Sequence, residues 1–227
     1  MMKKFFAVAL FVVLSNFAFA QKDQVLSVLK KYNINEQVLD PNLRDNIEKY
    51  AYNLQRTVTL SGKDKVYQSS YDPTKDEANR WTLNSVNGKN PSKHDIKAFN
   101  DEHAIKVHFK VDESTYKIAK DDGKMVEVTY QYDPSSLDSE HQFLKDCLIT
   151  LSINAKTGLL EKSAELNLKN LKIKILKITK LTSDVSYAYN QANKSYTVAN
   201  ETITVVIKML GNEIPMITTN TYTLTTK

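Results

Sequence analysis

The residues able to do chemistry in this 227-residue chain are few: four histidines, one cysteine and some paired acids. Metal binding needs ligands on a shared helix face or at set loop spacings. His94, His103, His108 and His141 show neither HxxxH nor HExxH. His108 also lies between Lys106 and Lys110, whose charges repel a cation. The run Asp72-Pro73-Thr74-Lys75-Asp76-Glu77 lacks the alternating oxygen ligands of a calcium loop, and Asp101-Glu102 and Asp121-Asp122 read as helix-end and turn residues. Cys147 shares one strand face with Ile149, Leu151 and Ile153, so its thiol reads as a small buried hydrophobe. A nucleophile there would need a neighbouring base and positive charge, and the surrounding sequence offers neither. No GxSxG elbow and no glycine-rich phosphate loop occur. The expected protein is therefore non-enzymatic, without metal or cofactor.

The elements that must position these residues begin with a leader. Lys3 and Lys4 precede an apolar run from Phe5 to Leu14, and Ala18-Phe19-Ala20 supplies small residues at a cleavage site. This pattern predicts a signal peptide over 1–20, cleaved after Ala20, and a soluble periplasmic protein of residues 21–227. Ser15 and Asn16 break the run short of a membrane span. No cysteine follows it to take a lipid anchor. The leader removes two of 31 basic residues and leaves a net charge near +3, too mild to point to nucleic acid. With 41% apolar residues, five glycines and five prolines, the remainder suits a single folded domain rather than a disordered chain. A single cysteine leaves no internal disulfide, so the core alone must stabilise the exported form.

Helical spacing of Val25, Leu26, Val28 and Leu29 predicts a helix over 23–32. A second is expected after Pro41, capped by Asn42 or Asp45, with Leu43, Ile47, Tyr50 and Leu54 as its apolar stripe. The period then changes to two. Strands are expected at 56–60 and 65–71 around Ser61-Gly62, and at 81–86 before an Asn87-Gly88 turn. Pro91-Ser92 opens a short helix, with Ser92 and Asp95 forming a capping box and Ile96 and Phe99 its buried face. Further strands are predicted at 105–111, 126–132, 146–154, 158–168, 171–179, 184–190, 195–208 and 214–226. Around Lys169, Lys172, Lys174 and Lys177, lysines alternate with Leu171, Ile173 and Ile175. That pattern gives a wet outer face or a basic rim for acidic lipid or a partner. The order of elements predicts an α+β fold, a strongly curved antiparallel sheet with a few helices on its inner face.

One stretch carries a resemblance. Tyr71-Asp72-Pro73, Arg80-Trp81-Thr82-Leu83, Val86-Asn87-Gly88, Pro91-Ser92 and Phe99 are similar to a YDP…RWxLxxVxG…P[ST]…F pattern in a family of exported bacterial proteins. That family resembles, in element order, the LolA/LolB-like outer-membrane lipoprotein-sorting superfamily. The resemblance implies an eleven-stranded half-barrel with a helical lid and a hydrophobic cavity for acyl chains. Trp81 would then pack on the inner face while the Pro91 helix crosses the sheet as part of the lid. No position matches the lid arginine of the carriers by motif. The expected function is a lipid- or hydrophobic-ligand-binding carrier, with Trp81, Leu83, Ile96, Phe99, Val126, Val128 and Tyr130 lining the cavity or lid. The competing expectation is an envelope interaction module with a filled cavity, meeting a membrane-associated protein.

Overall fold

The computed structural model describes residues 21–44, 47–103, 109–173, 176–192 and 194–225. The expected signal peptide, Asp45 and the Ile105–His108 part of the strand expected at 105–111 lie outside these residues.

Residues 21–31 form the first helix, α1. A single turn, α2 (Pro41–Arg44), and a 3₁₀ turn (Ile47–Lys49) follow. The expected long helix after Pro41 does not form. Tyr52 and Leu54 instead belong to β1 (Tyr52–Leu60), because β2 (Lys63–Tyr71) and β11 (Asn212–Leu224) flank that strand and satisfy its backbone along its length. Nonlocal pairing overrides a helical stripe of four apolar residues. β3 (Trp81–Val86) ends at Asn87-Gly88, both at positive φ, and the helix α3 (Lys93–His103) follows. Its capping box is as expected: Ser92 Oγ accepts from the Asp95 amide at 3.1 Å, and the Asp95 carboxylate accepts from the Ser92 amide at 3.1 Å.

The remaining strands are β4 (Val111–Asp121), β5 (Met125–Tyr132), β6 (Cys147–Asn154), β7 (Leu160–Asn167), β8 (Leu171–Ile173), β9 (Leu176–Asn190) and β10 (Ser195–Met209). Two expectations are corrected here. Of the strand expected at 105–111, the described Phe109 and Lys110 lie outside any strand and Val111 opens β4, whose bulged, poorly alternating Asp112–Lys117 stretch hid it. The segments expected as separate strands at 171–179 and 184–190 are the short β8 and one continuous β9.

All eleven strands join one antiparallel sheet in the order β3-β2-β1-β11-β10-β9-β7-β6-β5-β4, with β8 also paired to β9. The sheet is open, its edges being β3 and β4. Helix α1 covers one side of it, where Val25 and Leu29 pack with Val126, Val128, Tyr130, Leu151, Ile153 and Leu160. Each such fully buried apolar side chain stabilises the fold by about 1.5–3 kcal/mol. The loop leaving α1 is also held: Gly158, at φ +69 in the β6–β7 turn, would place a Cβ 3.4 Å from the Asn33 carbonyl oxygen. Farther along the same face, toward β3, Tyr52, Leu54 and Tyr71 form a second cluster with Ile47, Trp81 and Tyr222.

Candidate functional site

Two β-bulges build the site. On β7 the register passes from Lys162↔Ser152 to Leu160↔Ile153, so Glu161 is an extra residue. On β10 it passes from Val198↔Tyr187 to Asn200↔Ser186, so Ala199 is extra. Each bulge reverses the alternation of the strand beyond it. The faces carrying Leu160 and Val198 therefore continue as Ser163 and Glu165 on β7, and as Glu201 and Ile203 on β10. Two glutamates thus turn toward the side of the sheet that α1 and α2 cover.

There they line a cavity of about 340 Å³ between α2 and the sheet. Pro41, Arg44, Ile47 and Glu48 form its cover, while Tyr130, Ile149, Ser163, Glu165, Ser183, Val185, Tyr187, Val198, Glu201 and Tyr222 are among its walls. Arg44 is 3% exposed and donates from a terminal guanidinium nitrogen to the Tyr130 hydroxyl. On the far wall a polar relay crosses three strands. Arg56 Nε donates to Asn220 Oδ1 at 3.0 Å, and Asn220 Nδ2 donates to Glu201 Oε2 at 2.8 Å. Asn220, 1% exposed, thereby couples a cation to an anion across the β1–β11–β10 ladder.

Burial raises the Glu165 carboxyl above its ordinary range, Glu201 adds to that through its charge, and a hydrogen bond from the Cys147 thiol partly opposes it. The same burial, with the charge and hydrogen bonding of Glu165, pushes the Cys147 thiol well above its usual range. That thiol is a poor nucleophile. The cavity therefore presents a carboxyl that readily holds a proton, a second carboxylate, a buried guanidinium and several phenols beside aliphatic walls. This set suits hydrogen bonding and proton sharing with the polar end of a ligand.

A second hollow of about 360 Å³ lies under α3, between Arg56, Val58, Lys65, Tyr67, His94, Asp95, Phe99, Ile203, Met216 and Thr218. The Ser92 hydroxyl, and then Lys65 at 3.0 Å, hold the Asp95 carboxyl down at about 2, which pins the start of α3 to β2. Phe99 is the only buried side chain among the described residues of α3. It packs edge-on against Trp81 at 5.6 Å between ring centroids and stacks on His103 at 4.1 Å.

The expected site residues therefore separate. Tyr130 lines the cavity under α2, and Phe99 lines the hollow under α3. Trp81 and Leu83 pack on the β2–β3 end, Trp81 within the Tyr52–Tyr71 aromatic cluster. Val126 and Val128 are fully buried beneath α1 and line neither space. Ile96 is 40% exposed, contrary to expectation, because α3 turns the Asp95, Phe99 and His103 stripe inward and leaves Ile96 beside it at the solvent edge. Missed altogether were Arg44, Glu165, Glu201 and Asn220. The available signal was the broken alternation of Leu160-Glu161-Lys162-Ser163-Ala164-Glu165-Leu166, which fits no single strand phase. Among the described residues no group of three or more His, Cys, Asp or Glu is placed to hold a metal ion, and no helix is long and apolar enough to cross a membrane.

No protein-family model and no curated protein matches this chain. Among solved structures it is similar to an isomerase-inactive variant of GphF DH1, at 9% identity, over 78% of this chain and 76% of that one, with a TM-score of 0.14. A TM-score at that level does not denote a shared fold.

Proposed function

We propose that this is an exported, soluble, non-enzymatic carrier that holds an amphipathic molecule, an acyl chain or similar apolar body with a polar end, in the cavity beneath α2. The observation that carries this reading is the cavity itself, about 340 Å³ with Ile47, Ile149, Val185 and Val198 facing one another and Arg44, Glu165 and Glu201 at the same space. Pockets from about 300 Å³ upward hold small ligands, and a few placed polar groups on apolar walls fix their orientation. The walls run from β5 through β11 in the sheet order, which supports a curled, half-barrel sheet of the LolA type. The leader-like residues 1–20 support a periplasmic location.

A second reading is an envelope interaction module, favoured by the sealed packing of α1 on Val126 and Val128. Native mass spectrometry of the protein from its own cells, followed by denaturing extraction, separates the two. A stoichiometric amphipathic molecule, lost in Val185→Arg, is expected for the carrier. A clean apo mass together with no uptake of acyl probes overturns it and leaves the interaction module.

A further inference from the structure

The hairpin β10–β11 ends in a two-residue turn, Leu210-Gly211, with φ of +50 and +86. Two other turns, Ser61-Gly62 and Asn87-Gly88, use the same pair of left-handed conformations with a short polar residue first. Short polar side chains suit that conformation, and a bulky apolar one does not. Leu210 is nevertheless 96% exposed, so the fold gains no burial from it. Its neighbours at this end of the sheet are apolar as well: Met209 is 53% exposed and Leu176 39%. The register brings Leu176 to Met209, one residue beyond the Lys177↔Lys208 pair, while Leu60 lies on the same face four residue pairs back, opposite Met216, which pairs with Val205.

Behind this apolar end lies a row of cations. Lys172 of β8 stands opposite Lys177 of β9, which stands opposite Lys208 of β10, and all three are exposed. Only at the next strand does an acid, Glu213, follow Lys208 in register. Like charges directly opposed across strands weaken a sheet, and a nearby anionic surface reverses that cost. We propose that this end of the sheet docks on a lipid bilayer bearing anionic headgroups: Leu210, Met209 and Leu176 enter the interface while Lys172, Lys177 and Lys208 meet the headgroups. The chemistry is that of an interfacial anchor, shallow apolar insertion beside a basic cluster. It does not depend on the cavity holding a ligand.

The test is co-sedimentation of the protein, as recovered from its producing cells, with vesicles of phosphatidylcholine alone or with about 30% phosphatidylglycerol. Binding is expected to the anionic vesicles and is expected to fall as salt rises from about 0.05 to 0.5 M. Leu210→Asn gives this turn the first residue of the Asn87-Gly88 turn. It is expected to keep the thermal midpoint or raise it while weakening binding about tenfold. Lys177→Gln with Lys208→Gln is expected to weaken binding about thirtyfold at low salt and to flatten the salt dependence. Any N-terminal contribution is common to parent and variants and cancels. No binding, equal binding to both vesicle types, or unchanged binding by Leu210→Asn overturns the proposal. So does a dimer in sedimentation velocity that Leu210→Asn abolishes in the absence of vesicle binding, which assigns the surface to a second copy. Vesicle binding and bound-ligand mass are separate readouts, so either proposal fails without the other.

Discussion

Trp81→Ala tests whether the aromatic cluster at the β2–β3 end is packed core. The indole makes ring contacts at centroid distances of 5.7 Å to Tyr52, 5.1 Å to Tyr71, 5.6 Å to Phe99 and 4.4 Å to His103. Truncating a buried Trp costs about 3–5 kcal/mol. The ring is half-buried, so the lower end applies, about 3 kcal/mol. For a chain of this size that is a fall in Tm of about 6–12 °C. Urea unfolding followed by far-UV circular dichroism is the assay, because the substitution removes the only tryptophan. Hydrogen exchange adds a local readout. Phe99 loses its edge-on partner, so α3 amides are expected to exchange faster while α1 amides, packed on β5 and β6 away from the β2–β3 end, stay protected through sub-global opening. A loss below about 1 kcal/mol would refute the packing argument and mark Trp81 as the wall of a vacant space.

Two further outcomes follow from the geometry. Because the folded-state Glu165 carboxyl is raised, the folded chain binds more protons than the unfolded chain above pH 4.5, the ordinary value of the group. Its contribution is full below that pH and is lost as pH rises through the raised value. Glu165→Gln is therefore expected to match the parent near pH 4 and to exceed its urea midpoint at about pH 8; a lower midpoint at the higher pH would contradict the burial argument. Leu29→Ala, at a site 1% exposed between α1 and β5–β6, is expected to cost about 3 kcal/mol in the same assay, and a loss under about 1 kcal/mol would show that α1 does not seal that side.

Legibility in the sequence followed the range of the interactions. The Ser92–Asp95 box, the Ser61-Gly62 and Asn87-Gly88 turns and most strands were readable because neighbouring residues decide them. Leu54 was misplaced because its partners are Ser69 and Tyr222, and the latter lies far along the chain. The face of Glu165 and Glu201 was unreadable because one extra residue in each strand, Glu161 and Ala199, sets it, and only the pairing reveals which residue is extra. Exposure of Ile96 likewise depends on where α3 lands, not on its own amphipathic spacing.

The place of β11 in the sheet order has a consequence for how the chain assembles. Tyr52 pairs with Leu224, so the last strand is the seam between the block β1–β3 and the block β4–β10. Until that strand pairs, β1 and β10 each present an unpaired edge. Such edges invite pairing with other chains, and contacts this distant in sequence close slowly. The protein therefore spends its vulnerable period as two partial sheets, one of three strands and one of seven, awaiting one strand.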